Sequence, residues 1–248
     1  MLSRVAETHF EERIAGRYAT LWPEAYEPAL ISATVDFLAE LAGSGEALEL
    51  GVGTGRLAIP LRQRGVPVHG VELSPAMVEH LRAEPGGADV EITVGDLATT
   101  NVGKRFRLVY LPCNTITNLT TQDEQVAAFQ NAADHLEPGG CFVVENYVPE
   151  LRRLPPGENR YVFWSSPTHV GVDEYDFDNQ IEVSRHWWLL DGVLETFESP
   201  HRYVWPAELD LMARLAGLAL RERWSDWHRS PFTGESRKHI SVWQKPTT

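Results

Sequence analysis

The sequence predicts an α/β protein built on a doubly wound, mostly parallel sheet, and three stretches carry that expectation. Residues 47–55 read ALELGVGTG: a short apolar run holding Glu49 breaks into a loop with glycine at 51, 53 and 55. Alternate glycines let the backbone approach a ligand and take positive φ without steric cost. The pattern is a buried strand, a tight turn and a helix opening at Arg56. Residues 66–73, VPVHGVEL, form a second strand ending on Glu72. Residues 89–97, DVEITVGDL, alternate Val90, Ile92 and Val94 and close on Gly95-Asp96. Ligands of such sheets sit at the carboxyl ends of the strands, where Glu72 and Asp96 fall.

Composition narrows the possible partners. The 248 residues suit one large α/β domain, or a core with an insertion, and a hydrophobic fraction of 43% supports a globular core. The net charge of -13, with no concentrated basic patch, argues against nucleic acid and is compatible with a cationic substrate. Cys113 and Cys141 lack metal-ligand spacing, so no metal is expected and both read as reduced thiols in a cytoplasmic protein. No apolar run is long enough to cross a bilayer, so no membrane association is expected.

Two nucleotide-type readings compete for the glycine loop. A dinucleotide fingerprint, G-x-G-x-x-G, needs its third glycine where Arg56 stands; Gly55 is one place early. The pattern E-x-G-x-G-x-G over residues 49–55, with Glu49 two places before the first glycine, suits a ligand with a cationic amino-acid end. Here the chain resembles the class I S-adenosylmethionine (SAM)-dependent methyltransferases. Glu72 follows the loop by about 20 residues, the spacing at which a carboxylate grips an adenosine ribose. The resemblance implies a Rossmann-like seven-stranded sheet, mostly parallel with an antiparallel last strand, SAM as cofactor and S-adenosylhomocysteine as product. It also implies that Asp96 accepts from the adenine amino group beside Leu97. Leu73, Met77, Leu111 and Asn114 complete the implied cofactor set with Glu49, Gly51, Gly53, Gly55 and Glu72. Plainer readings stand beside these: a solvated acid at Glu72, an Asx-turn at Asp96, a core methionine at Met77.

The elements follow in order. Residues 1–27 read as an N-terminal lid segment; Tyr18, in RYATLW, is similar to a tyrosine that closes over SAM in small-molecule methyltransferases. Residues 28–42 place Leu30, Ile31, Val35, Leu38 and Leu41 at helical spacing, and Gly43-Ser44-Gly45 ends that helix. After the loop, a helix buries Leu57, Ile59 and Leu61. Ser74-Pro75 reads as N-cap and first turn of another. Residues 106–111 are a fourth strand, Thr121 to Glu124 a capping box, and residues 141–147 a fifth strand behind Pro138-Gly139-Gly140. His135 falls on the wrong side of the sheet for chemistry. The core thus occupies residues 28–148 and 205–248, closed by a helix from Pro206 and two strands at 218–224 and 239–243.

Between the two parts, residues 149–204 switch to short strands at 161–164, 168–172, 180–189, 193–198 and 201–204, with Asp191-Gly192 as a hairpin signal. The resemblance implies an inserted antiparallel β sheet lidding the substrate, similar to that of sugar amine N-methyltransferases. Asn114, Trp164 and Tyr203 are the expected substrate contacts, and His186 and Tyr147 the catalytic candidates, His186 as a general base. Along 180–189, Glu182, Ser184, His186 and Trp188 share one face, the more polar one. The expected acceptor is a small molecule or peptide carrying an N or O nucleophile, and the expected assembly a monomer or homodimer. A nicotinamide-dependent oxidoreductase and a non-catalytic SAM-binding protein are the alternatives.

Overall fold

A computed structural model describes residues 16–190 and 192–247, the side chain of Tyr18 excepted. A short helix, α1 (Tyr18–Leu21), and a 3-10 turn (Pro23–Tyr26) lead into α2 (Pro28–Ala42), which buries Val35, Phe37, Leu38 and Leu41 and stops where Gly43 takes φ +56°. Strand β1 (Ala47–Leu50) is buried along its whole length, as a strand covered on both faces must be. It pairs in parallel with β2 (Val68–Glu72) and β4 (Phe106–Leu111), and β3 (Glu91–Val94) lies beyond β2.

The crossovers are α3 (Ala58–Gln63), α4 (Pro75–Ala83) and α5 (Gln122–Asp134). Two of them start on the predicted caps. The Ser74 hydroxyl accepts the Met77 N–H (3.3 Å), and Thr121 and Glu124 satisfy each other's backbone donors. β5 (Leu136–Tyr147) extends the sheet, α6 (Pro206–Leu215) crosses back, and β10 (Ala219–Trp224) and β11 (Lys238–Gln244) close it. The spatial order is β10-β11-β5-β4-β1-β2-β3, with β11 antiparallel to both neighbours, as the resemblance implies. One helix layer packs Phe37, Leu38, Leu61 and Leu81 on the sheet; the other packs Phe129 and Leu209 in one cluster with Phe142 and Trp243 of the strands. Each such side chain stabilises the fold by about 1.5–3 kcal/mol.

The second sheet is antiparallel and runs in sequence order: β6 (Arg160–Ser165), β7 (His169–Asp176), β8 (Ile181–Leu190), β9 (Val193–Arg202). Its base is tied to the core by Arg202. That buried guanidinium donates to Gln125 of α5 (2.6 Å), Glu208 of α6 (2.6 Å) and Gln180 (3.0 Å).

Several boundaries differ from the sequence reading; β7, for one, runs on to Asp176. Residues 193–202 form one strand, not two, running through Pro200; β9 is an edge strand, where a proline's missing donor is tolerated. Helix α3 opens at Ala58 rather than Arg56, because the turn carries positive φ as far as Gly55. β5 begins at Leu136, five residues earlier than expected, and takes in the Pro138-Gly139-Gly140 run.

Candidate active site

The carboxyl ends of β1, β2, β4 and β5, the 3-10 turn (Pro23–Tyr26) and the inner face of the β6–β9 sheet enclose one cavity of about 720 Å³. That lies within the usual range for ligand sites, roughly 300–1,000 Å³, toward its upper end.

The glycine loop forms the floor. Gly51 takes φ +74°, and a Cβ there would meet Thr115 Cγ2 at 2.9 Å. At Gly53, φ is +55° and nothing lies within 4 Å of where a Cβ would stand, so the bare backbone faces open space. Glu72 supports the loop: its buried carboxylate accepts the Gly53 N–H (2.8 Å) and the Ser74 N–H (2.9 Å), and burial raises its pKa. Glu49 is deeper, accepting the Tyr110 hydroxyl (2.8 Å). Its burial pushes its pKa up to about 8 against that hydrogen bond and the Arg56 charge. Asp96 lines the cavity, and its Oδ1 accepts the Ala98 N–H (2.7 Å) in an Asx-turn.

The tip of β4 is strained. Cys113 and Asn114 both sit at positive φ, +58° and +59°, a conformation costly for side-chain-bearing residues. Glu145 holds Cys113 by its N–H (3.0 Å), and the Asn114 Oδ1 accepts the Tyr147 N–H (2.8 Å), tying the tips of β4 and β5 together.

Opposite, the β6–β9 sheet presents carboxyl groups. The Tyr147 hydroxyl donates to Glu182 Oε2 (2.9 Å), and the Ser184 hydroxyl donates to Asp173 Oδ1 (2.5 Å). Asp173 and Glu182 are within hydrogen-bonding reach of one another, and Tyr175 also bonds Glu182. Burial raises both carboxyl pKa values, and the negative charge of Asp173 raises Glu182 further, to about 8. Burial and mutual repulsion therefore bias the pair toward keeping a proton.

A methyltransferase-domain family model matches residues 47–140 of this chain. The CcbJ methyltransferase from Streptomyces caelestis is 38% identical, with a TM-score of 0.85 over 97% of this chain and 99% of that one. The chain belongs to the SAM-dependent methyltransferases. Among curated proteins it is similar to the cypemycin N-terminal methyltransferase of a Streptomyces species, 27% identical over 80% of this chain and 82% of that protein. The SAM-bound amino pentose methyltransferase from Micromonospora echinaspora shares the fold: TM-score 0.69 at 20% identity, over 92% of this chain and 96% of that one.

This methyltransferase places most of its sequence-predicted residues around the cavity. Glu49, Gly51, Gly53, Glu72, Leu73, Met77, Asp96, Leu97, Asn114, Tyr147 and His186 all line it. Four candidates stand elsewhere. Gly55 lies under the loop, where a Cβ would strike Leu81 Cγ at 2.9 Å, and Leu111 is wholly buried in the core. Trp164 is 55% exposed on the outward face of β6, because alternation turns Tyr161 and Phe163 inward instead. Tyr203 lies past the end of β9, buried against Tyr175. The side chain of Tyr18 and residues 1–15 of the expected lid segment lie outside the described residues.

His186 does not titrate where a general base at neutral pH should. Burial, with the neighbouring His169, pushes its pKa down to about 4. Its Nδ1 lies 3.0 Å from His169 Nε2. His135 is buried away from the cavity, its Nε2 accepting the Val102 N–H (3.0 Å). Sequence reasoning missed Asp173, and it missed the burial of Glu182, whose place on the polar face of β8 was its one visible signal. It also missed Arg56, which stands where a dinucleotide site wants glycine. Arg56 donates to the Ala25 carbonyl (2.8 Å), while Tyr26 and Thr54 share a hydrogen bond (3.0 Å), so the 3-10 turn is bolted onto the glycine loop. Among the described residues there is no cluster able to hold a metal ion and no helix able to cross a membrane.

The residues present fit SAM. An open backbone at Gly53, a buried carboxylate beside it at Glu72 and a second at Glu49 form a cradle that a Cβ would obstruct.

Proposed function

We propose that this methyltransferase transfers the methyl group to an amine of a small molecule or peptide, and that residues 149–204 form the lid over that acceptor. The observation that carries the reading is the Asp173–Glu182 pair: two carboxyls buried side by side in the cavity wall. Such a pair is costly to bury unless a cation meets it. An ammonium ion supplies that cation, and the pair is poised to take its proton, leaving a neutral amine. The Tyr147 phenol holds Glu182 in place.

On the cofactor side, Glu72 takes the ribose hydroxyls and Asp96 the adenine amino group. Glu49 and the bare backbone at Gly51 and Gly53 receive the amino-acid end. The cofactor supplies an already activated methyl on a sulfonium, so the chain's contribution is alignment, exclusion of water and acceptance of a proton. The similarity to the cypemycin N-terminal methyltransferase and to an amino pentose methyltransferase supports an amine acceptor.

The test pairs labelled SAM with matched amines, phenols and carboxylates. Amines should be methylated, and Glu182→Gln should raise KM for them by roughly 10- to 100-fold while S-adenosylhomocysteine still binds. Turnover of phenols with no turnover of amines would overturn the reading.

A further inference from the structure

The inner face of the lid is graded along its strands. Register places Tyr175, Glu182 and His201 side by side, then Asp173, Ser184 and Ser199, then Gly171, His186 and Phe197. The first two rows carry the carboxyl pair. The third is aromatic, and four residues of β8 at about 3.3 Å each put it roughly 13 Å from Glu182.

That third row is constructed at some structural expense. The pairing of β6 with β7 slips between Val162 and Trp164. Phe163 turns inward and lies across Gly171, where a Cβ would come within 2.3 Å of the ring. Gly171 has no positive φ to satisfy, so its missing side chain serves the ring. Phe163 meets His186 edge-on (5.4 Å), His186 stacks on Trp188 (4.6 Å), and Trp22 closes the group edge-on to His186 and Phe197. Phe163, His186, Phe197 and Trp22 line the cavity. His186 stays uncharged at neutral pH, which keeps this end apolar in character.

We infer that the acceptor is amphipathic: an amine whose nitrogen lies at Glu182 and which carries a ring or alkyl group, roughly 7–13 Å away, seated between Phe163, His186 and Phe197. Two serines, Ser184 and Ser199, span the distance between the two ends. This rests on the amine reading above.

The experiment measures binding to the protein loaded with S-adenosylhomocysteine, by titration calorimetry. The probes are 6-phenylhexylamine, propylamine and 6-phenylhexan-1-ol. Expected is binding of 6-phenylhexylamine at least about tenfold tighter than propylamine. Phe163→Ala should bring that ratio toward one. Gly171→Ala, which displaces the ring without deleting it, should lower the ratio as well. Equal affinity for the two amines, or a ratio that neither substitution changes, overturns the inference. Failure of the amine reading has its own signature: the alcohol binds as tightly as the phenylhexylamine, Glu182→Gln affects neither, and both still depend on Phe163. That result retains the apolar seat and removes the amine.

Discussion

The Tyr147 phenol, at the tip of the last parallel strand of the core, donates a 2.9 Å hydrogen bond to Glu182 near the base of the β6–β9 sheet. One contact thus joins the seven-stranded sheet to the four-stranded one at the wall of the cavity. It also favours the ionised carboxylate against the burial that opposes it.

Replacing Tyr147 by phenylalanine removes that donor. A hydrogen bond to a charged group is worth about 1.5–3 kcal/mol, so the Glu182 pKa rises by about one unit or more. The acidic limb of the kcat/KM profile should move to higher pH by that amount. An unmoved limb would separate Glu182 from the proton transfer.

His186 supplies a contrasting case. Depressed to about 4, its imidazole is already neutral throughout the pH 5–9 range. His186→Gln should therefore change acceptor affinity while leaving the shape of the pH–rate profile as it was. Loss of a limb near neutrality would restore histidine to the role the sequence first offered it.

Glu49 makes a stability prediction. Its folded pKa, about 8, lies above the ordinary carboxylate value, so its contribution is fully present below about pH 4.5 and is lost as pH rises toward 8. In Glu49→Gln that loss disappears. The variant should show the higher Tm at pH 8 without cofactor, and weaker SAM binding by calorimetry. A variant less stable than the parent at pH 8 would contradict the argument.

Gly53 and Gly55 separate two uses of one motif. Both hold positive φ, so alanine costs about 1 kcal/mol at either. At Gly55 the new methyl also meets Leu81 and Ile59, so Tm should fall further. At Gly53 it meets open space, and the loss should appear in the Kd for S-adenosylhomocysteine instead. Thermal melts and titrations on the two variants check the split.

The glycine-loop side of the cavity was legible because each part of it is local. Glu72 and Asp96 end strands whose own pattern announces them, and Gly51 and Gly53 mark a turn readable within nine residues. The wall formed by the second sheet was not. Asp173 and Glu182 belong to different strands and meet through a hairpin register, and the phenol that holds Glu182 comes from a tyrosine 35 positions away. Nothing near Asp173 in the sequence marks it as buried. Trp164 is the larger ring, but alternation from Tyr161 sends Phe163 inward and leaves Trp164 exposed. The two strands expected at 193–198 and 201–204 are joined into one running through Pro200, because an edge position is a property of the whole sheet.

The seat of Phe163 on Gly171 has a consequence for redesign. Both residues belong to the β6–β9 sheet, and Gly171 has no positive φ, so what a side chain there meets first is the Phe163 ring. A reciprocal exchange, bulk added at 171 and removed at 163, re-lengthens or shortens the chamber from a wall remote from the adenosyl cradle. On the amphipathic-acceptor proposal, acceptor range is then set by two codons that leave the glycine loop in its native form.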